Sequence, residues 1–263
     1  MNIGVIGYRG TVGSALIKLG YEAIECDVTS PEDVRYSIAS ENWDAIIYAA
    51  GVTDVEKCEV DYKSAMKVNA WGINNLVDVY SGKVIYISTD HIFSGKKFLM
   101  LGYSEGHSPN PVNNYGRTKL GGELVSTSGL ADTRIIRTSK LFDRRYVNKS
   151  LDVWKNKIPI EFTNVLKRSF LHVDHFVEGI QFVLDNWEKI PTILNISGTA
   201  IMSHYMFFHA VARHLDIDPT LIVARNYYDK TLAPRPRRCG LNVSLAKSLG
   251  VPLYSAYDGI RLL

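Results

Sequence analysis

The chain has 263 residues, 46% of them hydrophobic, which suits one large domain or a domain carrying a smaller lobe. A formal net charge of +3 is too small to argue for a nucleic-acid partner. Three dispersed cysteines (Cys26, Cys58, Cys239) with no CxxC argue against a disulfide framework and a zinc site, and no apolar run reaches the ~18 residues of a membrane span.

Met1 to Ile6 reads as a strand rather than a signal peptide, because no basic region precedes it. The expectation is therefore a cytoplasmic protein with core thiols, no metal and no membrane partner.

Gly7-Tyr8-Arg9-Gly10-Thr11-Val12-Gly13 follows that strand, and Ser14 to Leu19 continues as a helix. Strand, glycines and helix form the layout of a dinucleotide site. Bare glycine admits the pyrophosphate, and the helix start offers N–H groups and a positive dipole end. The spacing is G-x-x-G-x-x-G rather than the commoner G-x-G-x-x-G, so its context carries the inference. A short strand, Glu22 to Glu25, comes next. Asp27 then stands only 14 residues after Gly13, early for the acid that holds an adenosine ribose, which leaves adenine contact as the alternative. Arg9 suits a 2′-phosphate, so the pattern leans to NADP(H) over NAD(H). Ser30-Pro31 predicts a helix start, with Ser30 as cap.

Ala45 to Gly51 reads as a buried strand ending in small residues. Ala49, Ala50 and Gly51 leave room for a ring or ribose above the strand ends. Thr53 to Glu59 and Ser64 to Tyr80 read as helical, with Asn69 placed to brace a neighbouring backbone. Val84 to Ile87 is another buried strand, closed by Ser88-Thr89-Asp90 and followed by His91. The long Gly- and Pro-containing loop from Phe93 to Pro111 has the character of a lid or binding loop. The next helix start puts Tyr115 and Lys119 one turn apart on one face. About one Tyr-x-x-x-Lys arises by chance in a chain of this composition, so its position directly after the Thr89 strand and its loop carries the weight.

Thr133 to Arg137 is a further strand ending in Thr138-Ser139. The polar segment from Phe142 to Arg168 reads as substrate lobe, Phe170 to Val173 as a return to the main domain, and Ser203 as the cap of a lobe helix. Pro234-Arg235-Pro236-Arg237-Arg238 gathers guanidiniums suited to a diphosphate. The fold class is α/β. A Rossmann-like doubly wound parallel sheet occupies 1–142, and 143–263 is mostly a smaller C-terminal substrate lobe, with roughly 168–198 returning to the Rossmann domain.

Together these stretches resemble the extended branch of the short-chain dehydrogenase/reductase superfamily, and within it the dTDP-4-dehydrorhamnose reductases. The matching residues are Gly7 to Gly13, Asp27-Val28-Thr29, Ala49 to Glu56, Val68-Asn69, Ser88 to Phe93, Asn113 to Glu123, Arg137-Thr138-Ser139, Phe170 to Asp174 and Arg235 to Asn242. The resemblance implies Tyr115 as general acid, Lys119 on the nicotinamide ribose lowering the tyrosine pKa, and Thr89 holding the carbonyl. It implies a cofactor set of Gly7, Arg9, Gly10, Thr11, Val12, Gly13, Asp27, Val28, Ala49, Ala50, Gly51, Asn69, Tyr115 and Lys119. Thr53, Asp90, His91 and Arg235 belong to the substrate. The family's reductases usually carry tyrosine where this chain has His91. Its dehydratases carry Asp-Glu where this chain has Asp90-His91, which argues against water elimination.

The implied activity is NAD(P)H-dependent reduction of a 4-keto-6-deoxy sugar nucleotide, with a homodimer plausible by analogy. Two alternatives stand beside it. One is a non-catalytic dinucleotide-binding subunit resembling the beta subunit of methionine adenosyltransferase; the other is an NAD-dependent sugar-nucleotide epimerase.

Overall fold

The computed structural model describes residues 1–97, 99–229 and 231–263. Its central sheet is parallel throughout, in the order β2-β1-β3-β4-β5-β9. The strands are β1 (Ile3–Ile6), β2 (Glu22–Ile24), β3 (Ala45–Tyr48), β4 (Lys83–Thr89), β5 (Asp132–Thr138) and β9 (Ile193–Asn195). These strands are short apolar runs because both faces are covered. Leu16, Phe176, Ile180 and Val183 pack on one face, and Val34, Ile38, Ile73 and Leu76 on the other. The strand order reverses between β1 and β3, so a crevice opens above their carboxyl ends, where open α/β sheets bind ligands.

Five more strands build the rest: β6 (Lys140–Phe142), β7 (Ile160–Thr163), β8 (Lys167–His172), β10 (Ile201–Ser203) and β11 (Ile222–Arg225). β8 lies between β6 and β10 in a second sheet, and β7 pairs with β11. β8 is therefore not a strand of the main sheet, whereas the following helix Val173–Asp185 and β9 do join it. Ser139 alone separates β5 from β6, so the chain steps from one sheet to the other at the edge of the crevice. An aromatic cluster holds the lobe: Phe170 stacks on Phe207 at 4.3 Å between ring centroids, and Phe162 on Phe208 at 3.9 Å.

The local signals in the chain act as expected at several ends. Ser30 caps the helix Pro31–Ala39, Ser203 caps His204–His214, and Asn113 caps Asn114–Ser126. The predicted continuous helix from Ser64 to Tyr80 is interrupted. Tyr62–Met66 passes into a π-helical turn, Lys67–Trp71, before Gly72–Val77. Buried phenols from the sheet bond carbonyls in that turn: Tyr48 donates to Val68 O at 2.6 Å and Tyr86 to Asn69 O at 2.8 Å. Periodicity cannot reveal a π turn, which inserts one residue per turn and is frequent at functional sites.

The loop from Phe93 to Pro111 differs from the lid its length suggests. Phe93 stacks on Tyr103 at 4.4 Å, and both pack with Ile92, Cys239 and Leu241. Tyr103 and Leu241 form a bridge, and none of the loop's described residues lines the crevice. It is a clasp between β4 and the C-terminal segment. Phe98 lies outside the described residues.

Beneath the crevice, Glu123 accepts Nε and Nη2 of Arg137 at 2.9 and 2.7 Å and the Ser88 hydroxyl at 2.5 Å. Arg137 also donates to Glu105 O at 3.1 Å, and the Glu105 carboxylate accepts Asn195 N at 2.9 Å. One buried network thus joins β4, the Asn114–Ser126 helix, β5, the clasp and β9. Arg137→Met strands the Glu123 charge and should cost about 3–5 kcal/mol in urea unfolding, while a Glu123→Leu/Arg137→Met double variant recovers most of it. A single-variant cost under about 1 kcal/mol, the range of an exposed pair, would contradict this account.

Candidate active site

A cleft of about 1060 Å³ runs between the carboxyl ends of the parallel strands and the lobe. Its floor at the β1 end is the glycine turn. Gly7 has φ +86°, and a Cβ there would lie 2.4 Å from Ala50 N. A Cβ on Gly13 would lie 2.3 Å from Gly7 O, so the turn packs flat only with glycine at both places. Gly10 precedes the helix Thr11–Lys18 with no side-chain cap, and Gly10, Thr11 and Val12 line the cleft. Backbone N–H groups and the positive helix end are therefore left for an anion. Ala49, Ala50, Gly51 and Thr53 line the neighbouring wall.

The middle of the cleft holds Thr89, Tyr115 and Lys119. Thr89 ends β4, and its hydroxyl stands beside the Tyr115 phenol, close enough to oppose a rise in the phenol's pKa. Burial raises the phenol above its ordinary value; the Thr89 hydroxyl opposes this, and the charges of Asp90 and Cys58 add to it. Tyr115 is thus a protonated phenol at neutral pH, in the form that gives up a proton. Lys119 is buried, with its ammonium 3.9 Å from the Tyr86 ring centroid. Burial pushes Lys119 down to about 7, and Glu123 pulls it back up. Without a bound ligand, the group that lowers the Tyr115 pKa is the Thr89 hydroxyl.

Asp90 is buried beside them. Its Oδ2 accepts the Ser139 hydroxyl at 2.5 Å and lies 3.5 Å from Arg168 Nε. Burial raises its pKa, and Arg168 is the largest opposing influence. The His91 ring meets Tyr115 edge-on, with centroids 5.3 Å apart. Asn113 fixes its tautomer. The Asn113 Oδ1 accepts Gly116 N at 2.8 Å and its Nδ2 donates to Pro234 O at 2.8 Å, so the amide can orient only one way. Nδ2 also lies 3.0 Å from His91 Nδ1, which must therefore accept. Burial, then Arg168 and Arg235, hold the His91 pKa well below its usual value, so the neutral ring carries its proton on Nε2.

The family model described as the RmlD substrate binding domain matches residues 1–258. The chain belongs to this family. It is 33% identical over 150 residues to the dTDP-4-dehydrorhamnose reductase of Mycolicibacterium smegmatis, covering 52% of this chain and 45% of that protein. The chain spans about half the length of the curated reductases it first matches. Two solved structures share the fold. One is a hypothetical dTDP-4-dehydrorhamnose reductase from Sulfolobus tokodaii, 26% identical with TM-score 0.85, covering 98% of this chain and 99% of that one. The other is the dTDP-4-dehydrorhamnose reductase of Bacillus anthracis in complex with NADP, 22% identical with TM-score 0.88, covering 98% and 96%.

In this RmlD family member the remaining expected residues divide. Asn69 does not line the cleft. Its side chain bonds Val52 N and O at 2.8 and 3.0 Å and the Thr118 hydroxyl at 2.9 Å, bracing the strand-end loop against the Tyr115 helix. The Asp27 carboxylate is taken up by Thr29 N and Oγ1 at 2.9 and 2.8 Å, and Val28 is buried under the Gly72 helix; neither lines the cleft. Arg9 pairs with Glu25 at 2.6 Å, both exposed. Glu25 directly follows β2, the place where this fold carries its ribose acid, and sequence reading overlooked it for Asp27. Arg235 lines the cleft and pairs with Glu56 at 2.7 Å, while Arg237 and Arg238 have their backbones tied to Lys167 and Gly95. Ser139 lines the cleft where the sequence placed it, at the end of its strand, while Lys140, Arg168 and His204 went unassigned in sequence because they come together only across the two sheets. Among the described residues no His, Cys, Asp or Glu group could hold a metal ion, and no helix is long and apolar enough to cross a membrane.

Nitrogen-resolved NMR should find His91 still neutral, with its proton on Nε2, below about pH 6.5, where an ordinary histidine is mostly cationic. An ordinary titration, or a proton on Nδ1, would refute the assignment.

Proposed function

We propose that this chain is an NAD(P)H-dependent reductase of a keto group on a nucleoside-diphosphate sugar, of the 4-keto-6-deoxy kind reduced by its dTDP-4-dehydrorhamnose reductase relatives. The observation that carries this reading is the protonated Tyr115 phenol beside the Thr89 hydroxyl, with Lys119 in the same cleft, next to a glycine turn open to an anion. Gly10, Thr11 and Val12 would hold the cofactor's pyrophosphate, and Ala49, Ala50 and Gly51 would leave space for its ribose and ring. When bound, the cofactor supplies the hydride. Thr89 and Tyr115 orient the carbonyl oxygen by hydrogen bonds, and Tyr115 gives that oxygen its proton as negative charge develops there. Lys119 then supports the phenolate left behind. A free phenol ionises near pH 10, and burial lifts Tyr115 above that, so bringing it toward 7 takes at least roughly 4 kcal/mol, to which a protonated Lys119 and the oxidised nicotinamide would contribute. Thr53, Asp90, His91 and Arg235 stand for the substrate set; Asp90 acts by holding Ser139 and Arg168, and His91 through its Nε2–H. The complete Thr89, Tyr115 and Lys119 set favours turnover over a purely binding role.

Tyr115→Phe should lower kcat with NADPH and dTDP-4-dehydrorhamnose by about 10²–10⁴-fold while leaving NADPH affinity nearly unchanged. Full activity in that variant would overturn the assignment.

We further propose NADP(H) as the preferred cofactor. The Arg9 guanidinium beside the glycine turn supports this reading, since it suits a 2′-phosphate, and the Bacillus anthracis relative is in complex with NADP. Glu25 competes for the same guanidinium and is itself suited to the diol of NAD. Glu25→Gln should therefore tighten NADPH by roughly threefold to tenfold and leave NADH equal or weaker, read by nicotinamide fluorescence on binding. An equal change for both cofactors would place the pair outside the adenosine ribose site.

A further inference from the structure

Lys140 begins β6, two residues past Thr138, and Thr138 is the register partner of Thr89 across β4 and β5. The lysine therefore stands on the wall of Thr89 and Tyr115, on the side that faces the lobe. Its ammonium lies 4.3 Å from the centroid of the Tyr146 ring and has no carboxylate within 4.0 Å among the described residues. The acid that acts on it, Asp90, is committed to Arg168 at 3.5 Å and Ser139 at 2.5 Å, and Asp143, three residues further along the cleft wall, pairs with Arg145 at 2.7 Å.

Burial, then the charge of Arg168, and also that of Arg235, disfavour the charged lysine, and only Asp90 favours it. His204, on the lobe wall, is held neutral by burial and by Lys140, Arg168 and Arg235, so it offers no countercharge. A partly desolvated ammonium in a cleft that also holds the Arg168 and Arg235 guanidiniums carries a free-energy penalty, which an arriving anion would relieve. None of the roles given above to Thr89, Tyr115, Lys119 or the glycine turn uses this group.

We propose that Lys140 binds an anionic oxygen of the substrate on the lobe side of the reacting carbon, and so decides which sugar nucleotides enter productively. The proposal rests on the sugar-nucleotide reading. Two oxyanions share the required chemistry: the sugar-proximal phosphate, and a carboxylate carried by the sugar ring.

Calorimetric titration of the full chain with dTDP, dTDP-glucose and dTDP-glucuronic acid separates them, run on the wild type, Lys140→Met and Lys140→Arg. Lys140→Met should weaken binding about tenfold or more, and Lys140→Arg should stay within roughly threefold of the wild type because it keeps the charge. A loss shared by all three probes makes the phosphate the partner; a loss confined to dTDP-glucuronic acid makes it the sugar carboxylate. The proposal is overturned if Lys140→Met binds all three probes as the wild type does, or if both variants lose affinity alike. Should the wild type bind NADPH but none of the three probes, the sugar-nucleotide reading itself fails, and this assignment with it.

Discussion

The amide of Asn113 ties the three parts of the cleft together. Its oxygen caps the helix that presents Tyr115, and its nitrogen bonds the ring of His91 at the end of β4 and the carbonyl of Pro234 in the lobe. The side chain is fully buried, so each of these groups would pay a desolvation penalty if it were lost. Because a single planar amide serves the helix start, the strand end and the lobe loop, their spacing is fixed before any ligand arrives. That preorganisation holds a phenol and a hydroxyl side by side in the cleft.

Electrostatics in the cleft follow from burial more than from net charge. Tyr115 is held protonated, His91 and His204 neutral, and Lys119 near its titration point, in each case with desolvation as the first cause. The buried Arg137–Glu123 pair beneath the cleft works differently, since its geometry is bidentate and its remaining acceptors are filled by Ser88. It locks β4, β5 and the Tyr115 helix into one register and contributes no group to the chemistry above it.

The lobe is joined to the sheet by short connections. Ser139 bridges β5 and β6 while its hydroxyl bonds Asp90, and Glu56 reaches from the Rossmann half to Arg235 and Ala233 N. The sheet side and the lobe side of the cleft are therefore coupled through Asp90 and Glu56, two acids that act as anchors.

Local signals in the chain were enough to locate the glycine turn, the buried strands, the Ser30 and Ser203 caps, and the Tyr115/Lys119 pair, because each depends on neighbours within a few residues. Those signals also gave the α/β class, since short apolar runs alternating with helical periods permit little else. The pairing of Glu25 with Arg9 and the π turn around Asn69 depended on tertiary contacts. So did the conversion of the 93–111 loop into a clasp, the transfer of β8 to a second sheet, and the gathering of Lys140, Arg168 and His204 beside Thr89. The physical reason is range. Caps, turns and strand periods are settled by short-range sterics and backbone hydrogen bonding. A side chain's partner and its protonation state are set by groups brought to it from distant segments, and by how much water their packing removes.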